Sequence, residues 1–141
     1  MKKRFLITMF ATMVNIGLMF ANVADPIHTH VKIGNLYYDL GSSNTDYGRA
    51  ACIVAEGEAP NNYANLTSVT IPYSVSYAGD TWRVEEIGTK AFYNCSNMTS
   101  VTFGKNVVKI GDYAFADCGL AKTQTLKFPA SVQNMGYGVL N

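Results

Sequence analysis

Side chains that could bind a metal ion are few in this 141-residue sequence. His28 and His30 are two positions apart, so on a β-strand both would face the same side, as metal ligands do. No carboxylate stands at a spacing suited to a third ligand, which even an open zinc site requires. An N-terminal segment that binds no metal is therefore the favoured interpretation.

The three cysteines, Cys52, Cys95 and Cys118, are the candidate nucleophiles and disulfide partners. No pair has the C-x-x-C spacing that metal and redox sites use. Cys95 and Cys118 recur at equivalent positions of a repeat, which leaves two alternatives. They form a disulfide in an export compartment, or they are buried thiols that pack as small apolar side chains. Repeat equivalence alone accounts for both cysteines, so we favour the second alternative.

Hydrolytic chemistry needs a nucleophile, a neighbouring base and an acid. Cys52 has no identifiable activating partner, and the only histidines lie near the N-terminus. Glu85 and Glu86 are adjacent, so on a strand they would face opposite sides and make a poor acid–base pair. The sequence therefore predicts no catalytic residues, no metal ligands, no cofactor and no enzymatic activity.

The charge balance excludes one class of partner. Charged residues make up 15% of the chain, and the formal net charge is +1. Three basic residues, Lys2, Lys3 and Arg4, lie in a segment that we expect to be removed. Without them, 8 basic and 10 acidic residues remain, a net charge of −2. No basic patch is left to hold phosphates, so the sequence predicts no nucleic-acid partner.

Residues 1–24 have the pattern of an export signal. A basic start precedes an apolar run from Phe5 to Ala21, and small residues follow at Ala21 and Ala24. A retained membrane anchor is the alternative, although the apolar run is slightly short for a span of roughly 20 residues. We favour removal after Ala24, which predicts a secreted or cell-surface protein with no membrane span after signal removal.

Two blocks of sequence repeat along the rest of the chain. Residues 87–95 and 110–118 share Ile-Gly-x-x-Ala-Phe-x-x-Cys at an offset of 23 residues, and a third copy begins at Met135. A second block of seven residues recurs at 69–75, 101–107 and 126–132. It consists of an apolar–polar–apolar triplet, then Pro or Gly, then two residues and a Val. Such alternation predicts a strand with one buried face. A longer gap after the first triplet predicts an inserted hairpin with its turn at Gly79-Asp80.

Stacking of successive copies would bury the matched apolar side chains in columns, because one repeat cannot bury its own apolar face. The Ala-Phe segment predicts a single helical turn, and the glycine after each Ile or Met predicts a tight bend. The predicted inward columns are Val69, Ile71, Val101, Phe103, Leu126 and Phe128; Ile87, Ile110 and Met135; and Phe92, Phe115 and Leu140.

These two blocks resemble the BspA-type leucine-rich repeats, a family of surface and secreted proteins abundant in gut and oral Bacteroidetes. The resemblance covers about 66–141. It implies a mostly β fold with short helical turns, namely a leucine-rich-repeat solenoid of about two and a half coils that start near 66, 98 and 123. It also implies roles in adhesion, aggregation and host-protein binding, and it supplies no catalytic motif.

Residues 25–65 lack the repeat and are predicted to form an N-terminal β-hairpin cap. Ile33–Leu40 and Ala50–Ala55 read as its strands, joined by a turn-rich segment at 41–48. Such a hairpin would cover the open apolar end of the first coil. No comparable cap follows Leu140, so the solenoid at 66–141 is predicted to leave its C-terminal coil uncovered.

The exposed positions of the strand face are the predicted ligand-binding site. They form two polar columns between the buried pairs, and we expect three tyrosines to add aromatic area at the rims. The columns are Thr70, Thr102 and Lys127, and Ser68, Ser100 and Thr125; the tyrosines are Tyr73, Tyr93 and Tyr113.

Two functions remain open from the sequence. The first is a secreted or cell-surface adhesion module that recognises a host protein or glycan. The second is a structural or assembly module, or a fragment of a longer repeat protein, that docks through its open C-terminal coil, including self-association.

Overall fold

The computed structural model of the chain describes residues 23–43, 48–57, 62–122 and 126–141. Most of the predicted export signal, residues 44–47 of the turn-rich segment predicted at 41–48, and the site residue Thr125 lie outside the described residues. The described part is mostly strand, with one short 3₁₀ helix at Gly119–Lys122. Its strands are β1 Val23–Ile33, β2 Leu36–Ser43, β3 Arg49–Val54, β4 Ser68–Thr70, β5 Ser74–Tyr77, β6 Asp80–Ile87, β7 Ser100–Thr102, β8 Lys109–Ile110 and β9 Asn134–Met135.

Most strands form one mixed sheet in the order β1-β2-β3-β6-β8-β9, and β5 also pairs with β6. The first three strands are antiparallel, whereas β3-β6, β6-β8 and β8-β9 are parallel pairs. The second sheet consists of β4 and β7 alone, paired in parallel. Parallel pairing places each later repeat beside the earlier one, so equivalent residues become neighbours.

The prediction of one strand over Ile33–Leu40 is wrong. Ile33 pairs with Leu36 across a two-residue turn at Gly34-Asn35, so β1 and β2 form a hairpin there. Gly34 has a φ of 64°, in the left-handed region that glycine adopts without a Cβ clash. The N-terminal segment therefore has three antiparallel strands, one more than the predicted hairpin.

The inserted hairpin after the first triplet is confirmed. Strands β5 and β6 are antiparallel, and Tyr77 pairs with Asp80. Its turn consists of Ala78 and Gly79, with φ angles of 51° and 83°, so it lies one residue earlier than predicted. Strand β6 continues past the hairpin and pairs with β3, which joins the N-terminal strands to the repeats.

The predicted strand at 126–132 does not form. Leu126–Pro129 is irregular, and the Val132 N–H donates to the Pro129 carbonyl at 3.1 Å to close a turn. The third repeat instead pairs through β9, whose Asn134 and Met135 lie opposite Lys109 and Ile110.

The Ala-Phe segments form consecutive turns, so the predicted helical turn is wrong. Within the first segment, Ala91 N–H donates to the Gly88 carbonyl and Tyr93 N–H to the Lys90 carbonyl, each at 3.1 Å. Five residues at equivalent places in three repeats have a left-handed backbone, which an α-helix excludes. They are Lys90, Asn94, Tyr113, Asp117 and Gly138.

Glycines after the Ile or Met column permit the repeats to approach closely, as predicted. A Cβ at Gly88 would lie 2.9 Å from the Ile53 carbonyl oxygen. A Cβ at Gly111 would lie 2.5 Å from the backbone nitrogen of Thr89. A side chain at Gly88 would force the first repeat away from strand β3, and one at Gly111 would force the second repeat away from the first.

The predicted columns meet in the core in the first two repeats, but the prediction that Met135 and Leu140 face inward is wrong, because they are 50% and 42% exposed. Phe92 and Phe115 stack with ring centroids 5.2 Å apart and an interplanar angle of 11°. Phe103 meets the Phe115 ring edge-on at 5.9 Å. The N-terminal strands contribute further buried side chains to this core. Trp82, on β6, is the largest side chain that is fully buried in the described residues. Within the described chain, every buried side-chain nitrogen and oxygen has a hydrogen-bond partner.

Candidate functional site

The predicted polar face exists on β4 and β7. Three residue pairs are in register across the two strands: Ser68 with Ser100, Val69 with Val101, and Thr70 with Thr102. The two valines turn inward, and the serines and threonines are exposed. With parallel strands about 4.8 Å apart and a rise of about 3.3 Å per residue, the four hydroxyl groups form a compact lattice. We call Ser68, Thr70, Ser100 and Thr102 the hydroxyl lattice.

Side chains at both ends of the lattice fix the backbone beneath it. Asn97 Nδ2 donates to the Ala64 carbonyl oxygen at 2.9 Å before the strands, and Asn106 Nδ2 donates to the Tyr73 carbonyl oxygen at 2.9 Å after them. The four lattice hydroxyls themselves bond to none of the described residues. The lattice is therefore held rigidly while its own donors and acceptors stay available.

The third member of each predicted column does not join the lattice. Lys127 is exposed but belongs to the irregular segment Leu126–Pro129, with no strand pairing to β7. Thr125 lies outside the described residues. The hydroxyl lattice thus comprises two repeats, although the third repeat still packs against the second through Phe128, whose ring centroid lies 5.5 Å from that of Phe103.

The three tyrosines do not form one rim. Tyr73 follows β4 and is 60% exposed, with Lys105 Nζ 6.0 Å from its ring centroid. Tyr93 and Tyr113 instead line a separate open pocket of about 390 Å³ with Lys90 and Asp117. The sequence analysis did not predict this pocket. The available signal was the repeat alignment, in which Lys90 is equivalent to Tyr113 and Asn94 to Asp117.

Glu85 and Glu86 are buried structural ion pairs. Glu85 accepts a hydrogen bond from Ser43 Oγ at 2.7 Å and lies 2.8 Å from Arg83 Nη2. Glu86 lies 3.1 Å from Lys109 Nζ. Each carboxylate thus has its own cation, Arg83 on the same strand for Glu85 and Lys109 on β8 for Glu86. The Ser43 hydrogen bond to Glu85 and the Lys109 ion pair to Glu86 link β6 to β2 and β8.

The remaining chemical candidates have structural environments. Burial raises the pKa of Cys52 well above its usual value, and the nearby charges of Glu86 and Asp39 raise it further, so the reactive thiolate is disfavoured. His28 lies on β1 and packs edge-on against Tyr77 at 5.0 Å. His30 stacks on Tyr37 at 4.5 Å. Aromatic contacts therefore hold both histidines of β1 in place.

Cys95 and Cys118 are buried free thiols in the first and second repeats. Cys95 Sγ lies 3.2 Å from the Asn62 carbonyl oxygen, and Cys118 Sγ lies 2.9 Å from the Phe92 carbonyl oxygen. The Phe92 carbonyl oxygen that accepts from the Cys118 thiol also accepts from the Cys95 backbone N–H at 3.3 Å. The two cysteines therefore lie side by side at the boundary between repeats.

Two further observations concern metal binding and membrane crossing. The described ranges contain no group of three or more His, Cys, Asp or Glu side chains arranged to hold a metal ion. Within those ranges the chain forms no helix with the length and apolar character that a membrane crossing requires.

The stacked repeats, the parallel ladders and the phenylalanine column define a leucine-rich repeat protein. The sequence model described as "BspA type Leucine rich repeat region (6 copies)" matches residues 58–141. That match covers more than half of the chain, so the protein belongs to the BspA-type leucine-rich repeat family. Comparison with curated proteins gives no match.

Two crystal structures of bacterial leucine-rich repeat proteins are similar to the chain. A leucine-rich repeat protein from Bacteroides capillosus ATCC 29799 has 22% identity and a TM-score of 0.48, over 77% of this chain and 88% of that one. A leucine rich cell surface protein from Faecalibacterium prausnitzii A2-165 has 14% identity and a TM-score of 0.33, over 82% of this chain and 52% of that one.

Proposed function

We propose that the protein is an exported, surface-displayed binding module that recognises an extracellular protein or glycan through the hydroxyl lattice. Membership of a repeat family supports the proposal, because stacked repeats present extended faces that suit recognition. In this proposal the repeats form a short solenoid of about two and a half coils, and the export signal at 1–24 delivers it to the surface.

The observation that carries the proposal is the unoccupied hydrogen-bonding capacity of the lattice. Each hydroxyl offers one donor and two acceptor lone pairs. None of the four is used by the described residues, and their strands are fixed in register. A regular array of neutral donors and acceptors matches the hydroxyls of a glycan or the amides of an extended peptide. The exposed ring of Tyr73 adds a flat apolar surface beside it.

The test is binding of the full chain to glycan arrays and immobilised extracellular-matrix proteins. Thr102→Arg replaces one of the four lattice hydroxyls with a bulky charge and should abolish any binding. Thr81→Arg is the matched control, because Thr81 is also an exposed strand threonine but lies on the β5–β6 hairpin. Failure of the wild-type chain to bind any of these ligands, or equal losses in both variants, would overturn the proposal.

A second candidate function is assembly through the third repeat, including self-association. Three of the five large apolar side chains that are exposed in the described chain belong to this repeat: Met135, Tyr137 and Leu140. The backbone N–H groups of Gly138 and Leu140 donate to no described residue. Their equivalents Tyr113 and Phe115 donate to the following repeat at 2.9 Å.

Sedimentation over a concentration series tests the assembly function. If the third repeat docks on a second copy, the full chain should sediment as a dimer or larger species at high concentration. Met135→Lys should return it to the monomer. Ile27→Lys is the matched control, since Ile27 is an exposed apolar residue of β1 at the other end of the sheet. A wild-type monomer at all concentrations contradicts self-association.

A further inference from the structure

The two cysteines of adjacent repeats lie in a geometry that a disulfide requires. Two backbone hydrogen bonds bracket them: Asn94 N–H donates to the Ala116 carbonyl at 2.9 Å, and Gly119 N–H donates to the Cys95 carbonyl at 3.3 Å. Neighbouring segments joined in this way lie about 4.8 Å apart. That spacing falls inside the range of about 4.4–6.8 Å between Cα atoms that disulfides use.

The side chains point into the same space. The Phe92 carbonyl oxygen accepts from the Cys95 backbone N–H at 3.3 Å and from the Cys118 thiol at 2.9 Å. Cys118 therefore reaches across into the turn that carries Cys95.

Access differs between the two thiols. Cys118 is 9% exposed and lines an open pocket of about 370 Å³ with Asn94, Ser96 and Leu140, whereas Cys95 is 1% exposed. A small reagent can thus reach Cys118 from solvent, while Cys95 is reached through Cys118. This division of roles is that of an attacking thiol and a resolving thiol.

We propose that Cys95 and Cys118 form a redox-active pair, which a small-molecule disulfide oxidises to a covalent link between the first and second repeats. The Cys118 thiolate attacks one sulfur of the oxidant, releases the first thiolate and forms a mixed disulfide. The Cys95 sulfur, on losing its proton to solvent, then attacks the Cys118 sulfur and expels the second thiolate. The protein loses two protons and two electrons, and the electrons reduce the oxidant to two thiols.

The link is reversible because oxidation removes hydrogen bonds. The carbonyl oxygens of Asn62 and Phe92 each accept from a cysteine thiol in the reduced protein, and both of these donors disappear in the disulfide. Leaving buried acceptors without these donors disfavours the oxidised state, so a dithiol reductant restores the thiols.

The experiment uses the reduced wild-type full chain and oxidised glutathione under native conditions. Free thiols are then alkylated in denaturant, and the protein is digested and analysed by mass spectrometry. We expect the intact mass to fall by two hydrogen atoms, with one linked peptide pair that joins Cys95 to Cys118. Cys52 should carry the alkyl group, because it is fully buried at another place in the sheet. Dithiothreitol should restore three alkylatable thiols.

Cysteine variants distinguish the attacking thiol from the resolving thiol. The wild-type experiment tests the proposal without them. Cys52→Ser should form the same link. Cys95→Ser should stop at the mixed disulfide and retain one glutathione on Cys118. Absence of the Cys95–Cys118 peptide in the folded wild-type chain would overturn the proposal. A link from Cys52 to either partner under native conditions would overturn it as well.

Discussion

The first and third repeats have matching sequences but different surroundings. Ile87 and Phe92 of the first repeat are fully buried, because strand β3 and residues 62–63 cover one side and the second repeat covers the other. Their equivalents in the third repeat, Met135 and Leu140, are 50% and 42% exposed. The same position in the repeat is thus core in one copy and surface in the other. Neighbours on both sides, and not the repeat motif alone, create the core.

The largest expected effect tests this difference at the phenylalanine column. Phe115→Ala removes the ring that stacks on Phe92 and meets Phe103, so the free energy of unfolding should fall by about 3–5 kcal/mol. Leu140→Ala, at the equivalent position of the third repeat, should cost under about 1 kcal/mol, because its side chain is already exposed. Urea unfolding measures both, and similar losses would show that the third repeat is as well packed as the second.

The close approach of the repeats gives the next effect. Gly111→Ala would press a Cβ against the backbone of Gly88 and Thr89, and we expect a loss of about 1–3 kcal/mol in the free energy of unfolding. Gly57→Ala is the control, because a Cβ there meets nothing within 4 Å. Thermal unfolding of the two variants measures the contrast. A tolerated Gly111→Ala would mean that the repeats separate at little cost.

The left-handed turns give a smaller effect that separates backbone strain from packing. Lys90 has a φ of 56°, and the third repeat places Gly138 at the equivalent position with a φ of 60°. A side chain in this region costs about 1–2 kcal/mol relative to glycine. Glycine also adds unfolded-state entropy, so Lys90→Gly should be close to neutral.

Thr89→Gly supplies the matched comparison, since Thr89 is equally exposed and has no left-handed backbone. We expect it to lower the free energy of unfolding by about 0.5–1 kcal/mol, the entropic cost of glycine with no strain to relieve. If Lys90→Gly proves more destabilising than Thr89→Gly in thermal unfolding, the left-handed turn is not strained.

The sequence predicted those elements in which the same residue type occupies the same structural position in each repeat. Alternation gave β4 and β7, and the shared Ile-Gly and Ala-Phe pairs gave the columns that stack Phe92 on Phe115. Four of the site residues followed from the same alternation, since exposed and buried positions of a strand simply alternate. These features are local in sequence, or repeat at a fixed offset.

Features without a shared residue type were missed. The left-handed positions carry Lys90, Tyr113 and Gly138, three residues with no common chemistry, because the ladder between repeats imposes the backbone there. Strand β1 has no repeat partner and forms through pairing with β2 at the Gly34-Asn35 turn. The turn from Pro129 to Val132 depends on a backbone hydrogen bond within the third repeat, which no alternation pattern contains.

The smallest expected effect compares two aspartates with the same hydrogen bond in different surroundings. Asp39 Oδ1 accepts from the His30 backbone N–H, and Asp112 Oδ1 from the Tyr137 backbone N–H, each at 2.8 Å. Asp39 is buried on β2, and Asp112 is exposed. Burial raises the pKa of Asp39, although the hydrogen bond from His30 and the charge of His30 lower it in part.

A raised pKa means that folding favours the protonated carboxyl of Asp39. The ionised group therefore lowers stability at neutral pH, and this cost disappears as the pH falls through the folded and then the unfolded pKa. Asp39→Asn keeps an acceptor for His30 without the charge, so it should slightly raise the melting temperature at neutral pH, with the gain vanishing in acid. Asp112→Asn should give no such gain, because its carboxylate is solvated. A gain for Asp39→Asn that persists in acid would show that burial of the charge is not its cause.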